Sequence, residues 1–333
     1  RLKTLYIIFE PAVFQREYLC YNDSVNSPQG KGVTRLLKIE NIKLPPAAST
    51  DDLTAETARL LRVRAADILS LRILRRSVDA REDPALVYTV EAAVRDEAAV
   101  LKRRRDKRIS LSVPKPAYVP PGPRPAPETP PVVAGAGPAG LFCALVLARA
   151  GLRPILLERG RGVETRQTDV ERFWSTGQLD LTSNVQFGEG GAGAFSDGKL
   201  NTGTRDPRHR FILEQLVSCG APPDILIDAK PHVGTDYLHI VLKNLRRELL
   251  RLGADIRFET RLTDLDIRQG RLAGVVAEGP AGAYSLPCSR LALCPGHSAR
   301  DTFAMLHARG LSMEAKPFAV GVRIEHRQAD CDA

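Results

Sequence analysis

Two periods of apolar residues divide this chain. In its first third, Leu36 to Ile42 is strand-like, and Thr50-Asp-Asp-Leu offers N-cap chemistry for a helix running to about Leu61. Ile68 to Val78 and Leu86 to Val94 read as two more strands, and Asp96 to Arg105 as a closing helix. The order βαββα predicts a small α+β domain over residues 33–113. Residues 1–32 show no sustained period and many turn formers, so they read as a poorly ordered extension. Pro114 to Pro131 holds nine of the chain's 24 prolines. Such a segment runs extended rather than helical, which makes 114–131 a linker and the main domain boundary.

Beyond the linker the apolar runs are short and continuous. Val132 to Ala134 suits a buried parallel strand, an Ala/Leu-rich helix follows to Ala150 with Gly151 as its stop, and Ile155 to Leu157 is a second strand. Gly135, Gly137 and Gly140 fall in the turn between the first strand and the helix, at G-x-G-x-x-G spacing, and Glu158 follows 23 residues after Gly135. Strand, glycine turn, helix, strand, acid is the context that separates a dinucleotide fingerprint from a chance match. The first glycine allows the turn, the second lets backbone approach a pyrophosphate, and the third lets the helix pack closely. Free N–H groups and the dipole at the helix start favour phosphate charge. Glu158 can accept hydrogen bonds from ribose hydroxyls, and its charge disfavours a 2′-phosphate.

Val163 to Leu181 reads as largely helical. Tyr237 to Leu252 is a strongly amphipathic helix, Ala254 to Glu259 a third parallel strand, and Leu262 to Ile267 with Leu272 to Glu278 a meander about Gln269-Gly270. Arg290 to Pro295 supplies a last strand. Gly188, Gly190 and Gly193 repeat the G-x-G-x-x-G spacing, but no apolar strand precedes them and Ser196-Asp-Gly-Lys breaks any following helix. A glycine loop that brings backbone close to a flat ligand is the better reading.

Composition narrows the class. With 43% apolar and 26% charged residues and no run of 18 apolar residues, the chain reads as a soluble protein without a membrane span. Its six cysteines form no C-x-x-C pair, so neither a zinc site nor a disulfide framework is expected, no metal is assigned, and a reducing cytoplasm fits. The net charge of +9 lies mostly in residues 1–130, with 23 Lys/Arg against 16 Asp/Glu, including the run Lys102 to Arg108. The start at Arg and the polar end after Gln328 read as an incomplete reading frame.

Four words carry a resemblance: Gly-Ala-Gly-Pro-Ala-Gly at 135–140, Glu-Arg-Gly at 158–160, Asn-Val-Gln-Phe-Gly-Glu-Gly-Gly-Ala-Gly at 184–193, and Gly-His-Ser-Ala-Arg-Asp-Thr at 296–302. With Arg75-Arg-Ser-Val-Asp-Ala-Arg81, they resemble a family of largely uncharacterised bacterial FAD-dependent oxidoreductases, the NAD(FAD)-utilising dehydrogenase-like proteins. The resemblance runs from Val33 to His326. It implies an α/β, Rossmann-like FAD/NAD(P)-binding fold of glutathione-reductase type over 132–333, with a substrate-side insertion and a C-terminal continuation in the family. It implies FAD as cofactor, with its ADP half at Gly135, Gly137, Pro138, Ala139, Gly140, Glu158 and Arg159. The loop from Gly188 to Lys199, with Gly190, Gly191 and Gly193, is implied to lie towards the flavin, and Gly296 to follow the strand that passes beside the cofactor. His297 is the candidate acid/base, and Lys199 the candidate cation near the flavin pyrimidine edge.

The expected reaction is hydride or electron transfer between a small molecule and flavin. No C-x4-C pair follows Glu158, which argues against a disulfide reductase. Without a second clean fingerprint, NAD(P)H or a redox partner would act from outside. The competing reading is a flavin-containing RNA-binding or RNA-modifying protein that uses the basic N-terminal domain. No aromatics interleave with the basic run at 102–108, as stacking surfaces require, so nucleic acid is disfavoured.

Overall fold

A computed structural model describes residues 36–81, 83–103, 106–114, 116–195, 198–200, 206–315, 317, 321–322 and 324–331. The extension expected at 1–32 lies outside the described residues. In the first part, β1 (Leu37–Leu44), α1 (Thr50–Leu61), β2 (Ile68–Asp79), β3 (Ala85–Val94), α2 (Glu97–Arg103) and β4 (Ile109–Leu111) follow in order. The strands form one antiparallel sheet in the order β2-β3-β1-β4. One face of it, with Leu37, Ile39, Tyr88, Val90 and Val94, buries Leu53 and Leu61 of α1 and Val100 of α2. The helix cap is Ser49, one residue before the expected site, which forms a reciprocal capping box with Asp52. β4 was not expected. Its three residues are too few to show a period, and they turn βαββα into βαββαβ.

The described residues after Ser112 run without helix or strand to Pro131, as the prolines require. They are not loose throughout: Arg124 N–H donates to the Ala150 carbonyl at 2.9 Å, and Tyr118 meets Phe211 edge-on with ring centres 5.4 Å apart.

The second part contains β5 (Val132–Ala134), α3 (Pro138–Arg149), β6 (Ile155–Leu157), α4 (Val163–Thr176), α5 (Arg208–Ser218), α6 (Thr235–Arg251) and β7 (Asp255–Arg257). After them come β8 (Arg261–Arg268), β9 (Arg271–Gly279), β10 (Gly282–Pro287), β11 (Leu291–Leu293) and α7 (Arg300–Ala308). A parallel sheet runs β11-β5-β6-β7, and β8 to β10 form a separate antiparallel sheet. Alternation explains why β5 and β6 are apolar at every position. Val133 and Leu156 face α3, α5 and α6, whereas Val132, Ala134, Ile155 and Leu157 face the meander and Leu306 of α7. The parallel sheet is therefore the middle of three layers.

The helix expected over 163–181 stops at Thr176. Gly177 takes a left-handed conformation, φ 74°, and its N–H caps the Phe173 carbonyl. The rejected second fingerprint has no strand before it, and among the described residues a single 3₁₀ turn, Gly191–Phe195, overlaps its end.

Candidate functional site

The strand β5 is followed by Gly135, whose φ of 103° excludes ordinary side chains. A Cβ there would fall on the Cys294 carbonyl after β11, and one at Gly140 would fall on the Gly135 carbonyl. These two glycines therefore fit the turn between β11 and α3. Gly137 is different. It is the N-cap of α3, it has no side-chain cap, and the nearest atom to a Cβ would be the Gly191 Cα at 3.9 Å. Pro138 occupies the first helical position, where its missing N–H costs nothing. Space for an approaching group exists at Gly137 and not at its two neighbours.

Glu158, at the end of β6, is 4% exposed. Its Oε2 accepts the Ala136 N–H at 2.7 Å, and its Oε1 accepts Gly160 N–H at 3.0 Å and Gly188 N–H at 2.9 Å. The carboxylate thus ties the turn after β5, the turn after β6 and the glycine loop together, a role beyond contact with a ligand.

The glycine loop packs backbone to backbone. Gly190 N–H donates to the Ala136 carbonyl at 2.8 Å, Gly191 faces Gly137, and a Cβ at Gly160 would lie 2.6 Å from Gly188 Cα. Gly193 has nothing within 4 Å of a Cβ. What fixes the loop is Arg166, fully buried on α4. Its Nε donates to the Asn184 carbonyl at 2.9 Å, Nη1 to the Glu189 carbonyl at 2.6 Å and Nη2 to the Val185 carbonyl at 3.0 Å. Burial pulls its pKa down to about 10, so it remains charged at neutral pH. Glu189, also buried, accepts the Val163 N–H at 2.8 Å and an Arg246 guanidinium N–H at 3.0 Å; burial raises its pKa.

These elements surround a cleft of about 650 Å³. Of the expected residues, Gly135, Gly137, Pro138, Ala139, Glu158, Arg159, Gly191, Gly296 and His297 line it, and Gly140, Gly190, Gly193 and Lys199 do not. Gly140 and Gly190 support the wall from behind. Lys199 pairs with His232 in an isolated antiparallel bridge. Arg159 crosses the cleft wall: its guanidinium lies 4.3 Å over the Phe187 ring and donates to Asp301 at 2.9 Å and Thr302 Oγ1 at 3.3 Å. His297 is exposed, with Ser298 Oγ 3.3 Å from its Nδ1.

Arg166, Phe187 and Thr302 were not singled out by sequence reasoning. A signal for the first existed: Val163, Arg166 and Val170 share one helical face, which places an arginine on the buried stripe of α4.

The family model described as an FAD binding domain matches residues 131–197, the stretch from β5 through the glycine loop. The stretch is similar to FAD binding domains. A domain of unknown function (DUF8436) matches residues 37–95, most of the N-terminal sheet. An uncharacterized protein of Clostridium beijerinckii is 43% identical over 294 residues, 88% of this chain and 54% of its own length. The chain therefore spans about half the length of that relative. Among solved structures, Thermovibrio ammonificans THI4 overlaps 55% of this chain and 64% of its own, at 16% identity and a TM-score of 0.37. The 3-ketosteroid-delta4-(5alpha)-dehydrogenase of Rhodococcus jostii RHA1 overlaps 49% and 44%, at 20% identity and a TM-score of 0.32. The cleft has bare backbone at Gly137 and Gly191 and is lined by Glu158. Among the described residues, no helix is long and apolar enough to cross a membrane.

Proposed function

We propose that this chain is the cofactor-binding part of an FAD-dependent oxidoreductase whose fold is of glutathione-reductase type, preceded by a small α+β domain over 33–113 and a linker over 114–131. The observation that carries this reading is the paired bare backbone of Gly137 and Gly191 in one cleft with Glu158. The uncapped start of α3 holds the diphosphate through its N–H groups and dipole. Glu158, with three backbone donors already on its oxygens, has little remaining capacity and takes a ribose hydroxyl through what is left. Arg159 and Phe187 form a flat cation–aromatic wall against which a purine can lie.

Bound flavin supplies hydride or electron transfer, and the chain's own residues hold, orient and exchange protons around it. His297, exposed on the cleft after β11, is the proposed proton carrier. Lys199 lies outside the lining and is given no part in this reading. NAD(P)H or another redox partner acts as an external reductant of a small-molecule reaction.

Titration of the 333-residue chain with FAD, read by flavin fluorescence and by the visible spectrum, tests the cofactor assignment. Saturable quenching that NAD does not compete away is the expected result. An anaerobic half-reaction with NADH, NADPH and organic donors then tests the activity. No binding of FAD alongside tight binding of NAD would overturn the reading.

A further inference from the structure

The Arg75–Arg81 word takes no part in the cleft, yet one of its residues makes the closest link between the two parts of the chain. Arg76 lies on β2, an outer strand of the N-terminal sheet. Its N–H donates to the Ile227 carbonyl at 2.7 Å and its carbonyl accepts the Ala229 N–H at 2.8 Å, a parallel bridge opposite Asp228. The guanidinium then forks, with Nε to Asp228 Oδ1 and Nη2 to Asp224 Oδ2, both at 2.8 Å. A bridge of this length is weak by itself. Two charge-assisted bonds from a planar fork set its register, and the same positive charge separates two carboxylates that would repel each other.

Past Ala229 the same segment meets the far end of the glycine-rich stretch. Leu200 N–H donates to the Pro231 carbonyl at 2.9 Å, His232 bridges Lys199, and Val233 N–H donates to the Gly198 carbonyl at 3.0 Å. Gly198, with φ 72°, backs onto Gly234 so closely that a Cβ would lie 2.6 Å from its nitrogen. Residues 227–233 are thus a ribbon held by β2 at one end and by 198–200 at the other. At the upstream end of that glycine-rich stretch, Gly188, Gly191 and Ala192 line the cleft.

We infer that Arg76 is a positioning residue: through the ribbon 227–233, the N-terminal sheet sets the placement of residues 198–200, which follow the glycine loop in sequence. The link to cofactor affinity rests on the FAD reading above; the mechanical link does not.

Hydrogen exchange on the cofactor-free 333-residue chain reads the mechanical link at the Ala229, Leu200 and Val233 amides. Arg76→Ala is expected to speed all three by about tenfold or more, as loss of one charge-assisted hydrogen bond implies, with β5 and β6 unchanged. The FAD Kd should rise about threefold or more in parallel. Arg76→Lys should fall between the two, and the swap Arg76→Asp with Asp228→Arg should restore much of the protection. Faster exchange at Ala229 with no change at Leu200 and Val233 would overturn the inference. Wild-type chain that binds no FAD refutes the cofactor reading alone, because the exchange experiment uses none. Should Arg76→Ala also strip protection from β5 and β6, Asp224→Ala decides: graded acceleration at Leu200 and Val233 supports the link, and none overturns it.

Discussion

Replacing Glu158 by alanine should damage the apoprotein itself, before any cofactor is added. The substitution removes the acceptor of three N–H groups, on Ala136, Gly160 and Gly188, and the carboxylate is almost wholly buried. It also removes one of two carboxylates, with Glu189, that favour the charged form of buried Arg166. Leaving a buried donor unsatisfied costs about 1–3 kcal/mol. Water entering from the cleft can serve some of the three, so the lower bound applies, about 3 kcal/mol in total. For a domain of this size that is roughly a 6–12 °C fall in Tm. Glu158→Gln keeps the shape but turns an N–H₂ towards at least one donor, so about 1–3 kcal/mol is expected. Differential scanning fluorimetry and urea unfolding of the cofactor-free proteins give both numbers. A Glu158→Ala protein that melts within about 2 °C of wild type, below what even one lost bond implies, would refute the three-loop role of this carboxylate.

The glycines should separate into two groups. Gly137→Val, where a Cβ meets only the Gly191 Cα at 3.9 Å, should abolish FAD binding with little loss of Tm; Gly140→Ala, whose Cβ falls on the Gly135 carbonyl, should lower Tm sharply. Calorimetry paired with FAD titration checks both. Burial pushes the Cys143 and Cys288 thiols up to about 11. Their ordinary value is 9.0, so the folded state keeps protons that the unfolded chain releases, and stability is lost as pH rises from about 9 to about 11. Tm measured across that window should fall less steeply in the double variant Cys143→Ala, Cys288→Ala than in wild type. Any binding of RNA by the basic N-terminal part should be weak and vanish at moderate salt; sequence-selective binding that persists there would revive the nucleic-acid reading.

The parallel-sheet half of this fold was legible because its signals are local. The triplets Val132–Ala134 and Ile155–Leu157 can be apolar throughout only if both faces are covered, and the structure covers them with helices on one side and the meander on the other. Gly135 and Gly140 carried the right turn, but their reasons lie in the carbonyls of Cys294 and Gly135. Those contacts are distant in sequence or set by geometry, and no spacing rule contains them. β4 was passed over because three residues show no period. Arg166 was passed over since a charged side chain on a helix is ordinarily solvated. Only its place on the buried stripe of α4 told otherwise.

The meeting of Gly140 with the Gly135 carbonyl, and of Gly160 with Gly188, restricts how this protein can change over evolutionary time. In most cores a residue that grows can be matched by a neighbour that shrinks. Here both partners are already the smallest residue available, so no compensating substitution exists on either side. Variation in cofactor grip has to come from the surrounding ring, such as Arg159, Phe187 and Thr302, while the backbone contact stays fixed. Libraries intended to alter specificity are better spent on that ring than on the glycines, where nearly every member would be lost.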